Sequence, residues 1–199
     1  MSENNTNIIK AFDKSLKRRP HDINKFEKCG IETIERINKL NPSLVLDLGC
    51  GDNQYKDHIQ NLVGIDIANR RADIKADISH LPYNDETVDA CLCYGSINFG
   101  DDITIEHQLL EMKRVLKKNG IAVFRGNMNE HGDDMYYGWN EMLVQYWSDT
   151  LDLKLIVQPT IIHRLKKDGS IDHDWVDRVS EKTGMNHRTN MRLFWIWQK

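Results

Sequence analysis

A buried strand that ends in a glycine turn is the feature that most constrains the fold of this chain. Residues 45–55 read VLDLGCGDNQY, an apolar run that contains one acid, Asp47, and is followed by Gly49 and Gly51. Near-continuous apolar runs of this kind are typical of strands in a parallel sheet that is covered on both faces. Glycines just beyond such a strand let the backbone approach a ligand closely, because no Cβ stands in the way.

Further apolar runs predict six more strands along the chain. They fall within residues 61–66, 72–78, 87–96, 121–126, 153–165 and 191–199. Pro159 should disturb the sixth of the seven strands, because proline cannot donate a ladder hydrogen bond. Only residues 67–73 separate Asp66 from Ile74, which is too short for an ordinary crossover helix between the second and third strands. That edge of the sheet should therefore be thin.

Three amphipathic segments between the strands predict helices. The first runs from Asp22, as N-cap, to just before Asn41, and the second covers residues 101–120 with Lys117 and Lys118 near its negative end. The third covers residues 136–150. Its predicted apolar face comprises Tyr136, Trp139, Leu143 and Tyr146. Strands that alternate with helices indicate an α/β three-layer sandwich.

Two acids near the glycine turn indicate the kind of ligand. Asp66 ends the second predicted strand, where a carboxylate can accept hydrogen bonds from the hydroxyls of a ribose. A dinucleotide-binding fingerprint would need a third glycine where this chain has Gln54. Asp47 would repel a pyrophosphate but attract an ammonium group. S-adenosylmethionine, which combines adenosine, an amino group and a sulfonium, fits these observations, and a nicotinamide-dependent oxidoreductase does not.

Four sequence blocks, in order, resemble the class I S-adenosylmethionine-dependent methyltransferases of the type 11 methyltransferase domain kind. The blocks are VLDLGCGDNQY, VGIDIA, ADISHLPYNDETVDACLCYGS and EMKRVLKKNGIAVF, all within residues 43–127. The family usually has glycine where this chain has Asn53, but asparagine tolerates a positive φ better than most residues. The resemblance implies a Rossmann-like three-layer sandwich with a mostly parallel seven-stranded sheet and an antiparallel last strand. It also implies S-adenosylmethionine as the cofactor.

The resemblance further implies roles for individual residues. The implied cofactor-binding residues are Asp47, Gly49, Cys50, Gly51, Asp66, Ile67, Asp77, Ile78 and Tyr94. Asp47 and the glycines would shape the methionine end of the site, and Asp66 would bind the ribose. Asp77 would accept from the adenine amino group, or else cap the turn that follows it, while the Ile78 backbone would meet the ring edge. Tyr94 would flank the methionine or the sulfonium, where its ring offers cation–π attraction.

No catalytic base is evident from the sequence. The candidates are His131, in a loop, and Tyr136, at the start of the third predicted helix. Without a catalytic role, His131 would be a surface residue and Tyr136 a core aromatic residue. The acceptor pocket should form from the first helix, residues 95–102 and residues 127–147. Asp89 precedes the body of its strand and is therefore predicted to be structural.

Length and composition favour one domain over residues 1–199. Within it we expect a flexible basic arm at 1–20, a cofactor-binding core at 43–127, and a substrate-side segment with the last two strands at 128–199. The net charge of −3 gives no overall attraction for nucleic acid or an anionic membrane. A local basic patch is the exception, and it comprises Lys14, Lys17, Arg18 and Arg19. This patch is either a solvated arm or a contact for RNA.

The four cysteines show neither metal-ligand nor CxxC spacing, which favours a reducing cytoplasm. The sequence therefore predicts a methyltransferase that most plausibly acts on a small molecule. An RNA or protein acceptor stays open. So does a non-catalytic module that binds the cofactor or a partner, because no base is evident and a fold does not by itself fix a function.

Overall fold

A seven-stranded sheet forms the centre of the protein in a computed structural model, which describes residues 27–128, 137–166, 168–183 and 191–199. The strands are β1 (Val45–Leu48), β2 (Leu62–Asp66), β3 (Ile74–Lys75), β4 (Val88–Tyr94), β5 (Leu116–Asn127), β6 (Lys154–His163) and β7 (Met191–Gln198). Their order is β3-β2-β1-β4-β5-β7-β6. Strands β1 to β5 pair in parallel, and β7 runs antiparallel to both β5 and β6. The predicted mostly parallel sheet with an antiparallel last strand is confirmed.

Helices and turns cover both faces of the sheet. The helices are α1 (Lys28–Asn38), α2 (Asp102–Val115), α3 (Glu141–Thr150) and α4 (Trp175–Thr183). Ile34 and Ile37 of α1 pack on one face, while buried residues of α2 and α3 pack on the other. This is the predicted three-layer sandwich. No helix in the described part of the chain is long and apolar enough to cross a membrane.

Turns, rather than helices, connect the first four strands. Between β1 and β2 the chain forms successive turns, such as the bond from His58 N to Tyr55 O at 3.0 Å. Tyr55 and Ile59 point from these turns into the core beside α1. The residues between β2 and β3 form no helix either, which confirms the reduced connection predicted there. The sheet face near the first strands is therefore covered thinly.

Helix α2 ends at Val115, so the prediction that it extends to Gly120 is wrong. The loop before β4 donates hydrogen bonds to the last carbonyl groups of α2, since Thr87 N donates to Val115 O at 2.9 Å. Leu116 then pairs with Val88 and starts β5. Lys117 consequently lies in a strand. Its position depends on the pairing of Leu116 with Val88, which the helical pattern of residues 101–120 does not reveal.

Helix α3 starts at Glu141, five residues later than predicted. Of its predicted apolar face, Leu143 packs against the core, Trp139 is buried but precedes the helix, and the placement of Tyr146 is wrong. The Asn140 side chain caps the helix by accepting from Leu143 N at 2.9 Å. Tyr146 is 56% exposed, and the buried residues of α3 are Val144, Trp147 and Ser148.

Two further outcomes concern the helices. Helix α4 was not predicted from the sequence. The predicted start of the first helix at Asp22 lies outside the described residues, as do the basic arm and both candidate bases, His131 and Tyr136.

Candidate functional site

The chain turns sharply after β1, and two glycines make this turn possible. Gly49 and Gly51 have φ values of 69° and 52°. The backbone N–H groups of Gly49 and Cys50 donate to Ile65 O at 2.8 Å and 2.9 Å. A Cβ on Gly49 would lie 2.3 Å from that of Ser96, whereas a Cβ on Gly51 would meet no atom of the described residues within 4 Å. The turn is therefore closed against the loop after β4 at Gly49 and open at Gly51.

Asn53 continues the turn with a φ of 53°. This is a positive φ of the kind that asparagine is expected to tolerate. Its side-chain amide donates to Arg71 O at 3.0 Å and to Asp73 Oδ2 at 3.3 Å. The side chain lies against Gly64 of β2, where a Cβ would come within 2.5 Å of Asn53 Oδ1. Asparagine therefore preserves the turn while tying it to the β2–β3 connection.

Asp47 lies near the end of β1 and is only 2% exposed. Its Oδ2 atom has no hydrogen-bond partner within the described residues. Burial raises the pKa of Asp47 to about 7, repulsion from Asp66 adds to the rise, and Arg125 opposes it. A buried carboxylate oxygen in this state is stabilised by any ligand that brings a donor or a cation to it.

Asp66 joins the turn after β1 to the turn after β2. Its Oδ2 accepts from Gly51 N at 2.9 Å, and its Oδ1 accepts from Ala68 N and Asn69 N, both at 2.8 Å. A carboxylate has about four acceptor positions, so three backbone donors leave one for a ligand hydroxyl. Ile67, which follows it, is half-buried.

Asp77 and Ile78 come just after β3. Asp77 Oδ1 accepts from Ser79 N at 2.9 Å, which is the turn-capping arrangement that the sequence left open beside an adenine contact. Ile78 is 9% exposed and belongs to the core beneath the edge. The structure thus places both residues at the same edge as Asp47 and Asp66. Their contact with adenine stays a prediction.

Tyr94, at the end of β4, is held by the start of α1. Its hydroxyl hydrogen-bonds with Thr33 Oγ1 at 2.6 Å and donates to Cys29 O at 3.2 Å. The guanidinium carbon of Arg125 lies 4.7 Å from the ring centroid, and Tyr55 meets the ring edge-on. A protein cation therefore already occupies one side of the ring. The predicted sulfonium contact would have to use another part of Tyr94.

Sequence reasoning missed a buried cluster of charges beside Tyr94. Arg192 Nη2 donates to Glu27 Oε1 at 2.6 Å, and Arg125 Nη1 donates to Glu27 Oε2 at 3.3 Å. The Arg192 side chain is 3% exposed and that of Arg125 is 16% exposed. The available signal was a lone arginine in each of two otherwise apolar strands, IAVFRG and MRLFWIW.

The predicted acceptor-side segments meet at this edge. Tyr137 N donates to Asn98 O at 2.8 Å, and Trp139 N donates to Asn127 O at 2.9 Å. The Trp139 indole donates to Ile97 O at 2.8 Å. Fully buried Asn98 accepts from Asn127 N at 3.2 Å, and its Nδ2 atom has no partner among the described residues. The loop after β4 and the segment before α3 thus form one packed unit beside the glycine turn.

Comparison with known proteins gives this geometry a context. Residues 46–124 match the family model described as a methyltransferase domain. A malonyl-(acyl-carrier protein) O-methyltransferase from Hamiltonella defensa is 25% identical over 138 residues, which cover 62% of this chain and 53% of that protein. The chain spans about half the length of the curated relatives it matches.

Solved structures share the fold. A 1,6-didemethyltoxoflavin-N1-methyltransferase from Burkholderia thailandensis, solved with 1,6-didemethyltoxoflavin and S-adenosylhomocysteine bound, has a TM-score of 0.64 at 11% identity. The alignment covers 98% of this chain and 86% of that one. The (4+2)-cyclase SpnF has a TM-score of 0.59 at 14% identity, with 98% and 93% covered. At such identities the likeness describes the fold.

Proposed function

Since the chain belongs to the class I S-adenosylmethionine-dependent methyltransferases, we propose that it transfers a methyl group from S-adenosylmethionine to a small-molecule acceptor. One observation carries this proposal: Asp47 Oδ2, which has no partner among the residues that the structure describes, lies at the carboxyl edge of the sheet, by the turn at Gly51 that these residues leave open. A ligand ammonium would satisfy this oxygen, and the open turn admits a ligand beside it.

The neighbouring residues fit the rest of this cofactor. Asp66 has an acceptor position left for a ribose hydroxyl, and Asp77 and Ile78 lie after β3, where the adenine would be bound. S-adenosylmethionine supplies a methyl group on a sulfonium, a leaving group that needs little chemical help. The chain therefore contributes mainly by fixing the distance and angle between the reacting atoms.

The acceptor would lie beside the loop after β4 and residues 137–140. The backbone hydrogen bonds of Tyr137 and Trp139 fix this segment, so it forms a rigid wall for positioning an acceptor. A general base is required only if the acceptor must lose a proton. His131 and Tyr136 stay the candidates for that role.

A small molecule is the acceptor class we favour. The Burkholderia thailandensis neighbour, which shares the fold, was solved with a small molecule bound. RNA binding through Lys14, Lys17, Arg18 and Arg19 stays a prediction. If it occurs, neutralising these residues should abolish a salt-dependent affinity for RNA.

A second candidate function is cofactor binding without methyl transfer. The (4+2)-cyclase SpnF, which is named for a different reaction, shares this fold. The two candidates differ in one product. A methyltransferase converts S-adenosylmethionine to S-adenosylhomocysteine when an acceptor is supplied, whereas a binding module leaves the cofactor intact across a broad acceptor screen.

Calorimetric titration with S-adenosylmethionine tests the proposal. We expect micromolar binding in the wild type, about −8 kcal/mol, and at least a roughly tenfold loss in Asp66→Ala. Asp89→Asn is the matched control, because it alters an aspartate at the opposite edge of the same sheet and should leave the affinity unchanged. No saturable heat with the wild type would contradict the proposal.

A further inference from the structure

Two arginines at the carboxyl edge share a single carboxylate. Arg125 is on β5 and Arg192 on β7, and Glu27, just before α1, accepts a hydrogen bond from each. Burial would raise the pKa of Glu27, but Arg192 and Arg125, with a smaller contribution from Arg164, outweigh burial and lower it, so Glu27 is ionised. Glu27 and the two arginines that bond to it therefore carry an excess of one positive charge.

The arginines also have donors that the protein does not use. In the described part of the chain, Arg192 Nε, Arg192 Nη1 and Arg125 Nε are buried without a hydrogen-bond partner. An unpaired buried donor on a charged group is costly, more so than on a neutral one. Burial and the neighbouring Arg125 both lower the pKa of Arg192, and Glu27 opposes this shift.

The position of Arg192 separates it from Asp47 and the glycine turn. Along the sheet the order β1-β4-β5-β7 places Arg192 three strands from Asp47, or about 14 Å at the usual strand spacing. Tyr94, between them on β4, stacks against Arg125. This arrangement favours a second ligand next to the cofactor over the cofactor's own amino-acid group.

From this geometry we propose that Arg125 and Arg192 bind a carboxylate of the methyl acceptor. The inference rests on the proposed function, which supplies the neighbouring cofactor site. A carboxylate accepts parallel hydrogen bonds from a guanidinium and carries the one negative charge that balances the cluster. A phosphate monoester carries about 1.5 to 2 negative charges and would leave uncompensated charge in a buried site.

Glu27 and an acceptor carboxylate would share the two arginines. Glu27 uses Arg192 Nη2 and Arg125 Nη1, and in the described part of the chain it leaves Arg192 Nε, Arg192 Nη1 and Arg125 Nε for a second carboxylate. Because the two carboxylates are held by the same positive charge, Glu27 competes with the acceptor.

The test uses titration of the full chain, saturated with S-adenosylhomocysteine, with acetate and benzoate. Acetamide, benzamide and inorganic phosphate are the controls. At least one carboxylate should bind with a millimolar constant, about −4 kcal/mol, and its amide and phosphate should bind at least about tenfold more weakly. Glu27→Gln should tighten carboxylate binding, because the internal competitor is gone.

Arg192→Met should weaken carboxylate binding at least about tenfold while the affinity for S-adenosylhomocysteine changes less than about twofold. If this variant does not fold, the double variant Glu27→Gln/Arg192→Met removes both charges and serves instead; it should bind the carboxylate at least about tenfold more weakly than Glu27→Gln alone. Arg114→Met, which alters an arginine outside the cluster, is the matched control and should retain carboxylate binding.

Three results would overturn the inference. They are equal binding of a carboxylate and its amide, no carboxylate binding at about 10 mM, and a tenfold loss of S-adenosylhomocysteine affinity in the arginine variant. The last result would assign the pair to the cofactor's own carboxylate. Failure of the wild type to bind S-adenosylhomocysteine at all is a separate outcome, which contradicts the proposed function.

Discussion

The two edges of the sheet treat the same residue type in opposite ways. Asp89, at the amino end of β4, accepts from Ser43 N, Ser43 Oγ and Leu44 N at 2.7–3.0 Å and pairs with Lys117 at 2.7 Å. Burial would raise the pKa of Asp89, but hydrogen bonds from Lys117 and Ser43 outweigh it and lower the pKa to about 2. Asp47, at the carboxyl end of neighbouring β1, has an unpartnered oxygen and a raised pKa.

Arginines show the same contrast. Arg114, near the amino edge, bonds to Glu111, Asp85 and the carbonyls of Leu81 and Tyr83. Arg192, at the carboxyl edge, has two buried donor atoms without a partner in the described chain. The amino edge thus completes its own hydrogen bonds and stabilises the fold. The carboxyl edge leaves groups that a ligand can complete, as expected where ligands bind in open parallel sheets.

The largest expected effect separates the two glycines of the turn. Gly49→Ala should cost about 3–4 kcal/mol of unfolding free energy, because it combines positive-φ strain with a clash against Ser96. Gly51→Ala should cost only about 1 kcal/mol and yet weaken S-adenosylmethionine binding at least tenfold. Denaturant unfolding and calorimetry measure the two quantities. Equal stability losses, or unchanged affinity in Gly51→Ala, would count against an open cofactor side.

The two aspartates should differ next. Asp89→Ala should cost about 2 kcal/mol, because it leaves the donors of Ser43, Leu44 and Lys117 unpaired. Asp47→Asn should leave the unfolding free energy unchanged or raise it, because it removes a buried charge, and it should weaken cofactor binding. Urea unfolding measures the two stability changes, and calorimetric titration measures the change in cofactor affinity. The reverse stability ranking would refute the contrast between the edges.

The pH dependence of stability should have opposite signs at the two sites. The pKa of Asp47 is raised from 3.8 to about 7, so between these pH values the folded state holds a proton that the unfolded state has lost. The contribution of Asp47 to stability is therefore lost as the pH rises from about 4 to about 7. The pKa of Asp89 is lowered from 3.8 to about 2, so its contribution is lost as the pH falls through that interval.

Stability curves of Asp47→Asn and Asp89→Asn, each subtracted from that of the wild type, isolate these slopes. The Asp47→Asn difference should change between about pH 4 and pH 7, and the Asp89→Asn difference should change only below about pH 4. A flat difference for Asp47→Asn across its interval would show that its carboxyl is not perturbed by burial.

The smallest effect is expected at Lys117. Lys117→Met should cost about 0.5–1 kcal/mol, because the side chain is 37% exposed and solvent screens its ion pair with Asp89. Added salt should reduce the difference from the wild type. S-adenosylmethionine affinity should not change, since Lys117 is at the amino edge. A loss of affinity in this variant would show that the two edges are not independent.

Local patterns sufficed for the number and order of the strands and for the glycine turn, because apolar runs and glycine spacing are encoded within a few residues. The end of α2 and the start of α3 were mispredicted because they depend on tertiary partners. Thr87 takes a carbonyl of α2, and Asn140 caps α3. The arginine cluster was missed for the same reason, since Glu27 and Arg192 are 165 residues apart in the chain.

A crystal structure of the chain with S-adenosylhomocysteine tests the central claim most directly. The account predicts that the ligand amino nitrogen lies about 3 Å from Asp47 Oδ2, with the ribose beside Asp66. Ligand bound elsewhere, or bound at this edge while Asp47 Oδ2 stays without a partner, would contradict it.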